Sequence, residues 1–200
     1  MIKKKLILLL LLVSGVTVGA GAQAVGLKTN VLSDALLNAN VGVEAGLSPR
    51  WTLDVSGQYN AWPVGGHKWK HWLVQPELRR WFCDRFAGHF VGVHVFGTQF
   101  NVGNLSGLQY FPGLLMPASD GALLKDHRVQ GYALGAGLAY GYAWVLGRHW
   151  NLEAEIGAGY AYAWDLDVFE CSGCGGVTSE GLHRNYVGLT KAAINLVYVF

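Results

Sequence analysis

The chain of 200 residues is 52% hydrophobic and only 14% charged, and 28 of its residues are glycine. Soluble globular proteins carry about a quarter charged residues and disordered chains are poor in apolar ones, so this composition excludes both classes. Three of the 15 Lys and Arg residues stand near the start, and the others do not outnumber the 13 Asp and Glu, which excludes the basic surface of a nucleic-acid-binding protein.

The first predicted element is a cleaved signal peptide at residues 1–22. An apolar run at residues 6–13 follows three consecutive lysines and precedes small residues, among them Ala20 and Ala22. This order is typical of a secretory signal, and the run is too short to span a bilayer as a helix. We therefore predict that residues 23–200 form one exported domain.

Eight segments of this domain alternate between large apolar side chains and small or polar ones. From residue 150 to residue 164 the even positions hold Trp, Leu, Ala, Ile and Tyr, while the odd positions hold Asn, Glu, Gly and Ala. A period of two residues predicts β-strands with one apolar face. The predicted strands are residues 24–32, 39–48, 51–62, 71–82, 86–100, 128–146, 150–164 and 185–200. They exceed the about five or six residues of a common globular strand and are long enough to cross a membrane at a tilt.

Two kinds of connection join these strands. Residues 47–51, 82–86 and 146–150 are short turns in which an arginine stands beside an aromatic residue. The other connections are residues 33–38, 63–70, 101–127 and 165–184, and they are generally longer. Short periplasmic turns and longer extracellular loops are typical of outer-membrane barrels, and an even number of strands lets the sheet close. We therefore predict an all-β fold, an eight-stranded antiparallel up-and-down transmembrane β-barrel in the cell outer membrane.

The last predicted strand carries an apolar face that ends in phenylalanine. Its members are Ile194, Leu196, Tyr198 and Phe200. Such an ending is typical of the segment that the barrel-assembly machinery recognises, so we expect it to act as an assembly signal.

The polar faces of the strands predict the contents of the barrel lumen. The charged residues among them are Lys28, Glu44, Asp54, Glu77, Arg79, Glu153, Glu155 and Lys191. The uncharged ones are Asn30, Gln58, Asn60, Gln75 and Asn195. Because eight strands leave an interior that side chains can fill, we predict a packed polar network centred on Arg79 with Glu77, Glu44 or Asp54. A catalytic pair or an ion path is the alternative use of the same acids, and a narrow diffusion channel is disfavoured by the small strand number.

Four short stretches resemble an uncharacterised family of small outer-membrane barrels from Bacteroidota, a domain of unknown function. They are KWKHWLVQPE at residues 68–77, KTN at 28–30, WNLEA at 150–154 and KAA at 191–193. The resemblance implies an eight-stranded outer-membrane fold and, for some members, genes that lie near fimbrial genes. It supplies no catalytic residues. We predict a monomer that contacts outer-membrane lipids and has a structural or adhesive role, with a surface or fimbrial protein as the candidate partner.

The third long connection differs from what this resemblance implies, because it is longer and more apolar. Its large apolar residues include Leu105, Leu108, Tyr110, Phe111, Leu114, Leu115 and Met116. An exposed loop with this much apolar surface predicts either an interaction element or a lid over the barrel mouth.

An enzyme is the alternative class, of the lipid-A acylase or acyltransferase type. Its candidate residues are Asp126, His127, Ser179, Glu180 and His183, for which a solvated loop is the favoured interpretation. The seven histidines have no metal-ligand spacing, and no nucleophile elbow or phosphate loop is present, so we predict no cofactor and no metal.

Two of the three cysteines, Cys171 and Cys174, stand close together in the last long connection. Export to an oxidising compartment favours a disulfide between them. Cys83 belongs to a turn at the opposite end of the predicted barrel, beyond the reach of either.

Overall fold

The computed structural model describes residues 25–64, 67–103, 127–169 and 176–200. Three predicted features lie outside these ranges: the signal peptide, the apolar residues of the third long connection, and the pair Cys171 and Cys174. Asp126 lies outside them as well. In the described ranges, no helix has the length and apolar character needed to cross a membrane.

The described chain forms nine strands and one short helix. In chain order they are β1 (Val25–Asn30), α1 (Val31–Ala35), β2 (Ala39–Ser48), β3 (Trp51–Asn60), β4 (Pro63–Val64), β5 (His67–Trp81), β6 (Gly88–Gly103), β7 (Arg128–Val145), β8 (Trp150–Phe169) and β9 (Val177–Val199).

All strands except the two-residue β4 form a closed antiparallel ring. Each pairs with the next along the chain, β3 pairs with β5, and β1 pairs with β9 to close the sheet. The predicted eight-stranded up-and-down barrel is therefore confirmed. Residues 49–50, 82–87 and 146–149 connect strands at one end of the barrel, which we call the turn end. The opposite end, which carries α1 and β4, is the loop end.

The outer surface of the barrel is apolar. Exposed aliphatic side chains around the middle include Val41, Val43, Leu53, Val55, Val74, Val93, Leu134, Leu138 and Ile156. Exposed aromatic side chains flank them, with Trp51, Phe82, Trp144 and Trp150 towards the turn end and Tyr59, Trp62, Trp72 and Tyr132 towards the loop end. Over most of the strand length, exposed positions alternate with buried ones, as the period of two residues predicts.

The inward-facing positions of β7 hold small residues because large side chains of β6 lie over them. A Cβ atom on Gly141 would stand 2.2 Å from Cζ of Phe90, and one on Gly135 would stand 2.5 Å from Cε1 of Phe96. This packing also settles the face of β6 that its sequence leaves ambiguous. Phe90, His94 and Phe96 point inwards, and the valines between them point outwards.

Several strand bounds differ from the predicted ones. β1 ends at Asn30 instead of residue 32 because the Asn30 side chain accepts a hydrogen bond from the Leu32 amide and caps α1. The segment from residue 82 to residue 87 is a turn in which Phe86, with φ 63°, packs inwards instead of opening β6.

The hairpins at the loop end extend further than the alternation does. β5 begins at His67, β8 continues to Phe169 and β9 begins at Val177. Positive φ angles at Asp165 and Gly181, together with register shifts, break the period of two residues while the backbone pairing persists.

Candidate functional site

Arg79 lies at the centre of the lumen and contacts five carboxylates. Its guanidinium approaches Glu77 at 2.7 Å, Glu44 at 2.7 Å and Glu155 at 2.7 Å. Glu153 lies at 3.0 Å and Asp54 at 3.3 Å. These acids come from β2, β3, β5 and β8, so the ring of strands brings residues that are distant in sequence onto one cation.

Two lysines complete the ion network on either side of Arg79. Lys28 pairs with Glu44, and its Nζ lies 3.4 Å from Asp54 Oδ1 and 3.7 Å from Glu153 Oε1. The Nζ of Lys191 lies 2.6 Å from Glu77 and 3.1 Å from Glu155.

All eight charged residues predicted for the lumen are thus buried in one network of five acids and three bases. Each carboxylate contacts a cation, and the formal charges of the network sum to −2. Removing one charged side chain would leave buried charges on the others without a partner.

Further polar side chains connect this ion network to the wall. Asn195 donates a hydrogen bond to Glu153 at 2.8 Å, and Thr52 donates one to Glu44. His94 lies with its Nδ1 3.7 Å from Glu77 and its Nε2 2.8 Å from the Thr190 hydroxyl. The sequence pattern did not assign His94 to the lumen, and its completely buried position follows from the packing of β6 on β7.

An aromatic plug fills the lumen between the ion network and the turn end. It consists of Trp81, Phe86 and Phe90, with Trp81 and Phe90 centroids 4.6 Å apart. The Arg79 guanidinium lies over the Phe90 ring at 4.6 Å, and Trp81 donates a hydrogen bond to Thr52. The polar faces of the strands predict a polar lumen, so this apolar layer is a finding of the structure.

The other side of the ion network borders a cavity of about 430 Å³ that extends towards the loop end. Lys28, Asp54 and Lys191 contribute to its lining, together with Thr98 and Phe100 of the opposite wall. This volume falls in the range of small-molecule sites, about 300–1,000 Å³. The cavity is the second component of the candidate site.

The residues proposed for an enzyme do not form a visible constellation in the described part of the chain. His183 stacks on Tyr162 on the outside of the barrel, and the Tyr162 hydroxyl lies 3.1 Å from its Nδ1. Glu180 is exposed, and the Nδ1 atom of His127 has no hydrogen-bond partner. Among the described residues, no group of three or more His, Cys, Asp or Glu has the arrangement of a metal site.

The predicted assembly signal lies on the outward side of β9. Ile194 and Phe200 are exposed, and Leu196 and Tyr198 are half-buried. Cys83 is an exposed free cysteine in the turn at residues 82–87.

Comparison with known proteins gives two findings. A family described as "Protein of unknown function (DUF3575)" matches residues 6–200 of the chain. The crystal structure of Neisserial surface protein A (NspA) is similar to it with a TM-score of 0.41 and 13% sequence identity, covering 92% of this chain and 100% of that one. No curated protein matches the sequence.

Proposed function

We propose, from the premise that this chain belongs to the DUF3575 family of proteins of unknown function, that it is an outer-membrane barrel with a structural or surface-interaction role. It would reach the membrane through its signal peptide and the barrel-assembly machinery and remain there as a monomer. The proposal assigns it no catalytic activity and no cofactor.

The observation that carries this proposal is the apolar belt around a closed ring of strands. Side chains such as Leu138 and Ile156 are 67% and 60% exposed, far too much apolar surface for a protein in water. The ten steps from Trp150 to Tyr160 rise about 25 Å at a tilt of roughly 40°, which is the height of the apolar band of an outer-membrane barrel.

The filled lumen favours a structural or interaction role over a diffusion channel. Arg79, Trp81 and Phe90 are at most 1% exposed, so the barrel is densely packed at their level. The ion network connects six of the eight barrel strands across the lumen.

The connections at the loop end are the candidate contact surface. The apolar third connection and its predicted partner, a fimbrial subunit or another surface protein, belong to this proposal. The strand ends that flank it, Gly103 and Arg128, lie at the same end as α1, opposite the three short turns.

The topology is tested by labelling single cysteines from outside intact cells. We expect a cysteine at Glu180 to react and a cysteine at Arg148 in a turn to stay unlabelled, in a background without the native cysteines. Labelling of the turn would overturn the proposed orientation.

The interaction role is tested by deleting residues 107–122. After crosslinking in native outer membranes, the deletion variant should lack an adduct with a surface protein that the intact chain forms. A change in gel mobility on heating should show that the variant still folds into a barrel. An unchanged set of adducts would contradict the interaction role. A changed lipid-A mass spectrum after deletion of the whole gene would contradict the non-catalytic role.

A further inference from the structure

The wall of the barrel is incomplete on one side of β9. β1 pairs with β9 only from Gly26 opposite Val199 to Asn30 opposite Asn195, whereas β9 itself begins at Val177. Beyond Asn30 the chain leaves the sheet as α1, a helix of only five residues. On this side, β9 therefore extends past the end of its neighbouring strand.

Side chains satisfy the backbone where the neighbouring strand is missing. The Asn30 amide donates to the Ala192 carbonyl at 3.4 Å and its oxygen accepts from the Ile194 amide at 3.2 Å. Gln75 donates to the Thr190 carbonyl at 3.3 Å, from across the lumen. An unpaired strand edge is costly in a membrane, and these contacts lower that cost without closing the wall with backbone.

The lining of the lumen cavity includes residues from both faces of the wall at this place. Its lining includes the inward-facing Gly42 and Ala193. It also includes their exposed neighbours, Val41 on β2 and Ala192 on β9, and the exposed Leu36 after α1. Since adjacent residues of a strand point to opposite faces, a lining drawn from both is what an opening between the lumen and the outside requires.

The opening lies within the apolar belt. Ala192 pairs with Ile156, and Val187, five residues further towards the loop end, pairs with the aromatic Tyr160. On the other side, Val41 pairs with Gly57, two residues below the exposed Tyr59. The opening therefore lies at the height of the apolar belt, below the aromatic side chains at the loop end.

We propose that the cavity holds one hydrocarbon chain of a membrane lipid, which enters through the wall between α1 and β9. This inference rests on the membrane location under the proposed function. Phe100, Val102 and Leu189 supply apolar walls, and the opening is accessible from the bilayer. The lysines of the floor are already paired within the ion network, so they do not call for an anionic ligand.

Two hydrogen-bonding groups are available for the polar end of the chain. The buried Trp69 Nε1 and His71 Nδ1 atoms have no hydrogen-bond partner, and both residues line the cavity. His71 pairs with Asn60, next to Tyr59, so it stands at the level of the loop-end aromatic side chains. The ester groups of a lipid lie at that interfacial level, and the Trp69 N–H can donate a hydrogen bond to an ester oxygen.

The test uses phosphatidylcholine vesicles in which one acyl chain carries a terminal diazirine. The full-length mature protein is folded into the vesicles and irradiated, and adducts are assigned to residues by mass spectrometry. We expect adducts on the inward-facing Phe100, on Leu36 and Ala192 at the opening, and on Leu138 of the outer belt.

The matched variants are Ala193→Phe and Ile194→Phe, the same replacement on adjacent residues that face the cavity and the lipid. Ala193→Phe should lower labelling of Phe100 about tenfold, which corresponds to about 1.4 kcal/mol of lost binding, and Ile194→Phe should not lower it. If Ala193→Phe fails to fold, as judged by its heated-gel shift, Thr98→Trp fills the same cavity from the opposite wall.

The outcomes separate this inference from the membrane proposal. Adducts on Leu138 without adducts on Phe100 would overturn the chain-binding cavity and leave the membrane location standing. Adducts on Phe100 without any on Leu36 or Ala192 would overturn the entry route. The absence of adducts on Leu138 would contradict the membrane location itself.

Discussion

The two halves of the lumen are occupied in opposite ways. Towards the turn end, Arg79, Trp81 and Phe90 are at most 1% exposed, and charges and rings fill the section. Towards the loop end, the same strands enclose a cavity of about 430 Å³ between walls that include Thr98 and Ala193. Both halves obey the same alternation of faces. They differ in the size of the inward side chains and in the length of β1, so one half stabilises the barrel and the other is available for a ligand.

The largest loss of stability is expected from replacing Arg79, at the centre of the filled half of the lumen. Arg79→Met leaves five buried carboxylates without their shared cation, and we expect a loss of about 3–5 kcal/mol in the free energy of unfolding. Urea unfolding of the barrel in lipid vesicles measures it. Arg80→Met is the control because Arg80 is exposed and its guanidinium lies over Trp51, so its change should stay within about 0.5 kcal/mol. Equal losses would contradict the central role of Arg79.

The next effect concerns the belt that encloses both halves. Ile156→Arg places a charge in the middle of the apolar band, and we expect a cost of about 2–4 kcal/mol in the same unfolding measurement. Val177→Arg, at the loop end of β9, should cost about 1 kcal/mol or less because depth decides the penalty. A larger cost at Val177 would mean that the belt is placed at the wrong height.

A smaller effect is expected where a glycine accommodates the aromatic plug. Gly141→Ala would bring a methyl group against Phe90, and we expect a cost of about 1–3 kcal/mol from overpacking. Gly147→Ala is the matched control, since nothing lies within 4 Å of its added Cβ atom. If both variants unfold alike, the tight packing of β6 on β7 does not limit stability.

The last prediction concerns the number of free thiols among the three cysteines. Cys83 is free at the turn end, and Cys171 and Cys174, in the connection between β8 and β9, are predicted to form a disulfide. Thiol titration of denatured protein purified from the membrane should find one thiol per chain. Three thiols would refute the disulfide, and the double variant with serine at both loop-end positions is expected to keep the single thiol.

The alternation of side chains made most of the fold predictable. The segment at residues 39–48 was predicted with its observed bounds as β2, because apolar and polar residues alternate there without interruption. β8 and β9 were predicted too short at the loop end. Asp165 and Gly181 interrupt the period there, so the pattern ends where the hydrogen bonding does not.

The ion network was predictable in its members and not in its geometry. A charged residue on the polar face of a membrane strand must point into the lumen, since lipid does not solvate it. Arg79 and its acids are identified in this way. The aromatic pair of Trp81 and Phe90 is not, because a large aromatic side chain is compatible with either face of a strand.

The sequence by itself determined the face of every strand that carries charged residues, because side chains alternate along a strand and a charge marks the lumen side. It left the face of β6 ambiguous, and the packing on β7 decided it. The tertiary structure decided which inward-facing side chains meet. Arg79 contacts Glu44, 35 residues away, and Glu155, 76 residues away, only because ring closure and register bring those strands to one level. It also decided where the wall opens. That position depends on Asn30, which ends β1 and caps α1. The Asn30 side chain accepts hydrogen bonds from the amides of Leu32 in α1 and Ile194 in β9.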